Sequence, residues 1–267
     1  MRFAVTLLVC LAVTGGVLAQ EGEVAAEAKP AADAQSALER LKLPGIKINL
    51  AERSVDVASE VCLDHGTLEF VACKKDSKEH ESIVTIDAKA VHIHTALLLL
   101  GAKPGNPAMR QQVGDEDEEK RWVDVPPTGG EVEVSLVFED AKGKPVERPI
   151  SDFIEPADPA EIESKAEAEK KKFPTNAFLF AGSHLIAEGD GPRTYLADRS
   201  GNVISIATFG DELLCLPEIH SHQNGSLLWQ VDDTHLPKVG TKVTLRLRPK
   251  STAKRPKATG TKPAAEK

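Results

Sequence analysis

Glu131-Val132-Glu133-Val134-Ser135-Leu136-Val137-Phe138 is the stretch whose period decides the fold. Apolar side chains recur at every second position. Successive side chains of an extended chain point to opposite faces, so this segment is a half-buried strand. The same alternation, whole or nearly so, runs through Ile46-Lys47-Ile48-Asn49-Leu50, Ser54-Val55-Asp56-Val57, Leu68-Glu69-Phe70-Val71, Asn202-Val203-Ile204-Ser205-Ile206 and Val243-Thr244-Leu245-Arg246-Leu247-Arg248. Turn residues separate these runs at Asp64-His65-Gly66, Lys142-Gly143-Lys144-Pro145, Ser200-Gly201-Asn202 and Asn224-Gly225. Such spacing suits antiparallel hairpins rather than helical crossovers. The expected fold class is mainly β, of the α+β kind, with an antiparallel, sheet-rich domain. Aromatic residues make up only 4% of the chain, so its core is expected to be built from Leu, Ile, Val and Ala.

Two helices interrupt that pattern. Asp87 is placed to cap a run over 88–100, rich in Ala and Leu, and Gly101 supplies the left-handed stop. This helix is expected to be buried, with Leu98 as a main anchor. Asp158-Pro159-Ala160-Glu161 is a capping box with Pro at the first helical position. The helix it opens, near 158–172, is nearly all charge and is expected on the surface, where it divides the body near 155–173.

The ends of the chain speak to location. Residues 1–19 combine a cation at Arg2, a short apolar run from Phe3, and the small-residue ending Val17-Leu18-Ala19, the composition of an export signal. The apolar run is too short to span a bilayer, and no later segment approaches the roughly 20 apolar residues that a spanning helix needs. An exported protein, periplasmic or extracellular and without a transmembrane segment, is the expectation. Residues 20–45 form a low-complexity Ala, Glu and Lys leader, and 46–249 the folded body. The tail over 250–267 carries Lys250, Lys254, Arg255, Lys257, Lys262 and Lys267 against one acid, Glu266. Such a composition reads as a disordered basic tail suited to anionic surfaces.

The formal net charge is −8, and loss of Arg2 with the signal leaves about −9. A negative body argues against nucleic acid as its partner. An unknown envelope component is expected instead.

The residues able to carry chemistry are the cysteines and histidines. Cys10 falls inside the signal, which leaves Cys62, Cys73 and Cys215. A simple hairpin across 63–66 would pair Cys62 with Thr67 and put Cys73 about 20 Å away, beyond disulfide reach. Either Cys215 pairs with one of them or all three are thiols. His92-Ile93-His94 has the spacing of a metal pair on a strand, but on a helix those rings lie about 200° apart and only one can face a site. His80-Glu81 precedes a strand over 83–86 and lacks the H-E-x-x-H pattern of a helical zinc site, because position 84 is Val84. His220-Ser221-His222 lies five residues after Cys215 and is expected to be extended, since Pro217 ends a short turn of helix expected from Asp211 to Leu216, with free surface histidines as its plainest reading.

One block resembles the YdjY-type domain family. It comprises Cys62-Leu63-Asp64-His65-Gly66-Thr67-Leu68-Glu69, Cys73, Lys78-Glu79-His80-Glu81-Ser82 and Ala90-Val91-His92-Ile93-His94-Thr95-Ala96-Leu97-Leu98-Leu99-Leu100-Gly101, with Phe180-Ala181-Gly182-Ser183 and Gly240-Thr241-Lys242-Val243-Thr244-Leu245 further on. The matching motif positions are Cys62, Gly66, Glu69, Cys73, His80, Glu81 and His94. The resemblance implies a domain type and assigns no reaction. Some relatives are linked with iron–sulfur ferredoxins. This chain departs from them, since it has no C-x-x-C and three cysteines cannot supply a four-thiolate cluster. No cofactor is therefore expected in the first of two functional readings, an exported binding or structural module of the cell envelope rather than an enzyme. The second is a metal- or thiol-dependent site built from Cys73, His80, Glu81 and His94, with Zn or Cu as the metal.

Overall fold

The structure, a computed structural model, describes residues 33, 35–38, 40–114, 120–140, 142–157, 172–187, 189–222 and 227–250. Residues up to Leu41 form a unit of their own, in which 35–38 are helical, and the chain from Lys42 onward forms the second. The signal, most of the leader, residues 158–171 of the expected charged helix, the Asn224-Gly225 turn and the tail beyond Lys250 lie outside the described residues.

The strands of the second unit are β1 (Ile46–Asn49), β2 (Ser54–Val61), β3 (Phe70–Lys74), β4 (Ser82–Ile86), β5 (Met109–Val113), β6 (Arg121–Val125), β7 (Glu131–Glu139), β8 (Pro145–Pro149), β9 (Ile154–Pro156), β10 (Ala177–Leu179), β11 (Leu185–Ile186), β12 (Thr194–Tyr195), β13 (Asn202–Ser205), β14 (Leu214–Cys215), β15 (Trp229–Val231) and β16 (Lys242–Pro249). The helices are α1 (Ala90–Leu99) and α2 (Leu196–Ser200), with single 3-10 turns at Glu79–Glu81 and Ile150–Phe153. The chain is mainly β, as the alternating runs imply.

Pairing closes on itself. From β2 the ladder passes through β16, β7, β10, β14, β13, β3 and β4, and β4 returns to the free edge of β2. A closed ring removes the exposed sheet edges that invite aggregation. β1 extends β2 and β8 extends β7 beyond the ring. Two pairings, β3 with β4 and β13 with β14, are parallel, and the rest of the ring is antiparallel.

Strand period fills the barrel. Val55, Val57, Val61, Val132, Val134, Leu136, Leu245 and Leu247 are buried, while their alternate neighbours point outward. Phe70, Phe153, Phe178 and Phe180 are also fully buried, so the few aromatics carry more of the core than their number suggests. On the outer wall Arg246 makes two 2.7 Å bonds to Asp56 and one of 2.9 Å to Glu147, and Arg248 joins the same Glu147 carboxylate. The guanidinium of Arg248, seconded by Ser135 and Arg246, holds the Glu147 carboxyl down at about 2.

Two expectations need correction here. β2 and β3 are not a hairpin, because β4 lies between them and pairs with both. The turn at Asp64–Gly66 leads instead into a bridge between Thr67 and Gln230 and a bond from Leu68 N–H to the Trp229 carbonyl. The segment thus passes the start of β4 before β3 begins. Asp211 to Leu216 is likewise no helical turn, since it contains β14.

The helix expected over 88–100 is α1, but Asp87 does not cap it. The Asp198 carboxylate of α2 does, accepting from Ala90 N–H at 2.6 Å and Val91 N–H at 3.3 Å. At the other end Gly101, with φ of 80°, closes a double C-cap: Ala102 N–H bonds the Leu97 carbonyl and Gly101 N–H the Leu98 carbonyl. Ile93, Ala96, Leu97 and Leu100 form the buried stripe, at i, i+3, i+4 and i+7. Leu98 and Leu99 are each 44% exposed, so Leu98 is not the anchor.

Strand direction defines two barrel ends. One gathers the last residues of β3 and β4, the first of β13 and β14, and both helices. The other gathers the first residues of β3 and β4, the last of β2, β13 and β14, and the start of β16.

Candidate functional site

The open end is built where β3 and β4 begin side by side. Glu69 N–H donates to the Glu81 carbonyl at 3.1 Å, which sets the two residues next to each other, and the Ile206 and Ala207 amides both bond the Glu69 carbonyl. Their side chains meet as well. Glu69 is 6% exposed, and its carboxyl is raised above the ordinary range, first by burial and then by the charge and hydrogen bond of Glu81. Two carboxyl groups can hydrogen-bond only with a proton on one of them.

Cations and rings surround the pair. Lys78 Nζ lies 3.9 Å from Glu81 Oε1 and sits over the rings of Phe70 and Phe209, at 4.6 and 4.4 Å from their centroids. Those rings stack at 4.8 Å, and His222 stacks on the far side of Phe209 at 5.2 Å. Both Lys78 and His222 oppose the upward shift of Glu69. Glu212 fixes the loop that carries Phe209. It is fully buried, and its Oε1 accepts from the Phe209 and Gly210 amides while Oε2 has no hydrogen-bond partner. Burial pushes the Glu212 carboxyl up.

Two thiols flank β4, Cys62 next to Ile83 near its start and Cys73 paired with Thr85 near its end. Cys62 N–H bonds the Ile83 carbonyl, and Cys62 Sγ lies 3.1 Å from the Ser82 carbonyl oxygen. The Cys62 thiol also reaches Cys73, around which the Ser82 and Ser77 hydroxyls and the Lys78 amide converge. That thiol–thiol contact raises Cys62, whose S–H is the donor, and with these donors lowers Cys73 to about 6. Cys62, Cys73 and Cys215 are all free, and Cys215 is buried in β14 with its thiol pushed up by burial.

The four candidate ligands are thus distributed. Cys73 is buried in β3, Glu81 faces Glu69, and His80 is a largely exposed side chain whose Nε2 is 3.7 Å from Glu81 Oε2. His94 is at the other end, in α1. Its Nδ1 lies 2.8 Å from the Tyr195 hydroxyl, which donates to the Gly182 carbonyl at 2.7 Å, and its ring meets Phe180 edge-on at 4.7 Å. Burial lowers its pKa. Among the described residues no group of three or more His, Cys, Asp or Glu side chains is placed to hold a metal ion. His92 points elsewhere, with a buried Nδ1 that has no hydrogen-bond partner.

Glu69, Lys78, Phe209 and His222 are members that the candidate set lacked. Glu69 left a trace in the sequence: it is a charge enclosed by Leu68, Phe70 and Val71. Lys78 and His222 stood in the Lys78–Ser82 block and the His220-Ser221-His222 run with nothing to tie them to Glu69, and Phe209 left no trace. Comparison with curated proteins and with solved structures gave no match. The model of the YdjY domain matches residues 46–248, which include Glu69, Glu81 and both thiols. The chain belongs to the YdjY domain family.

Proposed function

We propose that this chain is an exported binding module of the cell envelope and that its ligand meets the open end of the barrel at Glu69 and Glu81. The observation that carries this reading is the carboxyl pair itself. A buried carboxyl beside a second one is a costly way to close a barrel, and an amide or alcohol would fill the same space more cheaply. A carboxyl raised beside a second one suits a ligand, because it donates when protonated, accepts when ionised, and is drawn toward the ionised form by a cationic group. Lys78 and His222 balance that charge, and the Phe70 and Phe209 rings fix Lys78 in place. No nucleophile–base–orienter constellation accompanies the pair among the described residues, so binding rather than catalysis is the role we assign.

Export rests on the composition of residues 1–19. Protein recovered from the envelope is expected to begin at about Gln20, and an intact Met1 contradicts export. Co-sedimentation of the mature chain with purified envelope of its own cell tests the binding role. Wild type is expected in the pellet and Glu81→Gln in the supernatant. Equal recovery of both contradicts the assignment of the ligand to the carboxyl pair.

A further inference from the structure

We propose that the ribbon of β5 and β6 is a self-association surface whose occupant is a second copy of this chain, paired antiparallel along β5 about a two-fold axis at Gln111. β5 and β6 pair with each other through Met109 with Val125, Arg110 with Asp124, Gln111 with Val123, Gln112 with Trp122 and Val113 with Arg121. Neither strand pairs with any other among the described residues, so both outer edges of the ribbon lack a ladder partner. Met109, Arg110, Gln111, Gln112, Arg121, Trp122 and Asp124 are exposed, which leaves the ribbon uncovered on both faces. A two-stranded ribbon is marginal in water and gains stability when strands are added to it.

The root of the ribbon is fixed to the barrel. Gly105 N–H donates to the Phe180 carbonyl at 2.9 Å, Phe180 N–H to the Gly130 carbonyl at 2.8 Å and Thr128 N–H to the Asn106 carbonyl at 2.9 Å. The backbones approach so closely that a Cβ on Gly105 would stand 2.1 Å from the Thr128 oxygen, and one on Gly129 2.3 Å from the Phe180 oxygen. A ribbon held at its root presents a ready-made edge, so little order has to be gained when another strand joins it.

Register selects both the edge and the occupant. A two-fold pair sets one strand antiparallel to itself, so residues equally far on either side of the central one face each other. About Gln111, the central residue of β5, Met109 meets the partner's Val113, Arg110 meets the partner's Gln112, and Gln111 meets its own copy. Every pair is matched: apolar meets apolar, a guanidinium donates to an amide oxygen, and a Gln side chain both donates and accepts. Arg110 also keeps its own-chain carboxylate, Asp124, at 3.3 Å. The edge of β6 offers no such match, because pairing about Val123 would set Arg121 against Val125 and Trp122 against Asp124. Joined along β5, two ribbons form a four-stranded sheet on one face of which Met109, Val113, Val123 and Val125 of both copies make an apolar band. One five-residue edge per copy is a small interface, so the pair is reversible, of the class below about 1,200 Å². This pairing does not rest on the role assigned to Glu69 and Glu81.

The test is sedimentation equilibrium of the chain from Gln20 onward at low ionic strength, from about 10 μM to about 1 mM, a range that covers micromolar to millimolar dissociation constants. The average mass of wild type is expected to climb with concentration toward twice that of one chain. Gln111→Lys and Gln111→Glu each put like charges face to face at the axis, and each variant is expected to stay monomeric over the same range. An equimolar mixture of the two is expected to associate again, because Lys then faces Glu. Gln111 is exposed, so both variants are expected to keep the wild-type melting temperature, which separates loss of pairing from loss of fold. A wild type that stays monomeric throughout, a dimer undiminished in both variants, or a mixture that remains monomeric would each overturn pairing of β5 about Gln111.

Discussion

The two ends of the barrel handle polar groups in opposite ways. At the helix end several polar side chains meet partners of complementary kind. Asp198 accepts the first amides of α1, Lys74 Nζ lies 3.5 Å from the same carboxylate, and His94, Tyr195 and the Gly182 carbonyl form a chain of hydrogen bonds. At the open end a carboxyl meets a carboxyl. Complementary pairs stabilise a fold. A buried carboxyl set beside a second carboxyl is not of that kind, which is why the open end is where we place binding.

If the helix end is structural, it should break the fold when cut. Leu97→Ala, at a fully buried position, is expected to cost about 2 to 5 kcal/mol, whereas Leu98→Ala, 44% exposed, is expected to cost under about 1 kcal/mol in urea unfolding. Equal losses would show that the helix does not pack as described. Next in size, Asp198→Ala removes a cap shared by two amides and is expected to cost about 1 to 2 kcal/mol. An unchanged midpoint would mean that water replaces the carboxylate without loss.

How much of this contrast was legible in the sequence differs by level. Val132, Val134 and Leu136 announced their strand because period two is a local property. Ring closure is not local. The chain after Cys62 is drawn to Trp229 and Gln230, far away in sequence, so the hairpin arithmetic at Asp64-His65-Gly66 had no means of finding β4 between β2 and β3. The same miss hid the thiol contact. The buried stripe of α1 was legible at Ile93, Ala96, Leu97 and Leu100, yet a run of four leucines concealed which of them faced in. Asp198 was beyond reach, since a cap supplied by another helix leaves no mark next to the residues it caps. At the open end, Glu81 and His80 were visible as a pair of chemical types, and Glu69 became their neighbour only through the parallel pairing of β3 with β4.

The pH dependence separates the outer wall from the open end. Glu147 is held at about 2 by its arginines, below its ordinary value of 4.5, so it stabilises the fold above 4.5 and that contribution is lost as pH falls toward 2. Glu147→Gln is expected to flatten the acid side of a melting-temperature profile and leave the other side alone. Glu69 works with the opposite sign. Its carboxyl is raised, so its contribution is fully present below the ordinary glutamate range and is lost as pH rises through its folded value. Glu69→Gln is expected to remove that decline, the smallest of the four effects, because Lys78 and His222 already offset part of it. A profile unchanged by Glu69→Gln would place the carboxyl in open solvent.

Carbon-13 NMR titration of the glutamate side-chain carboxyls in the folded chain reads the proton at the open end directly. The account predicts that Glu69 titrates above the ordinary glutamate value and that Glu81→Gln brings it part of the way down, with burial holding the remainder. A Glu69 that titrates at the ordinary value, or one that Glu81→Gln leaves unmoved, would contradict the coupling of the two carboxyls and with it the assignment of the open end as the binding site.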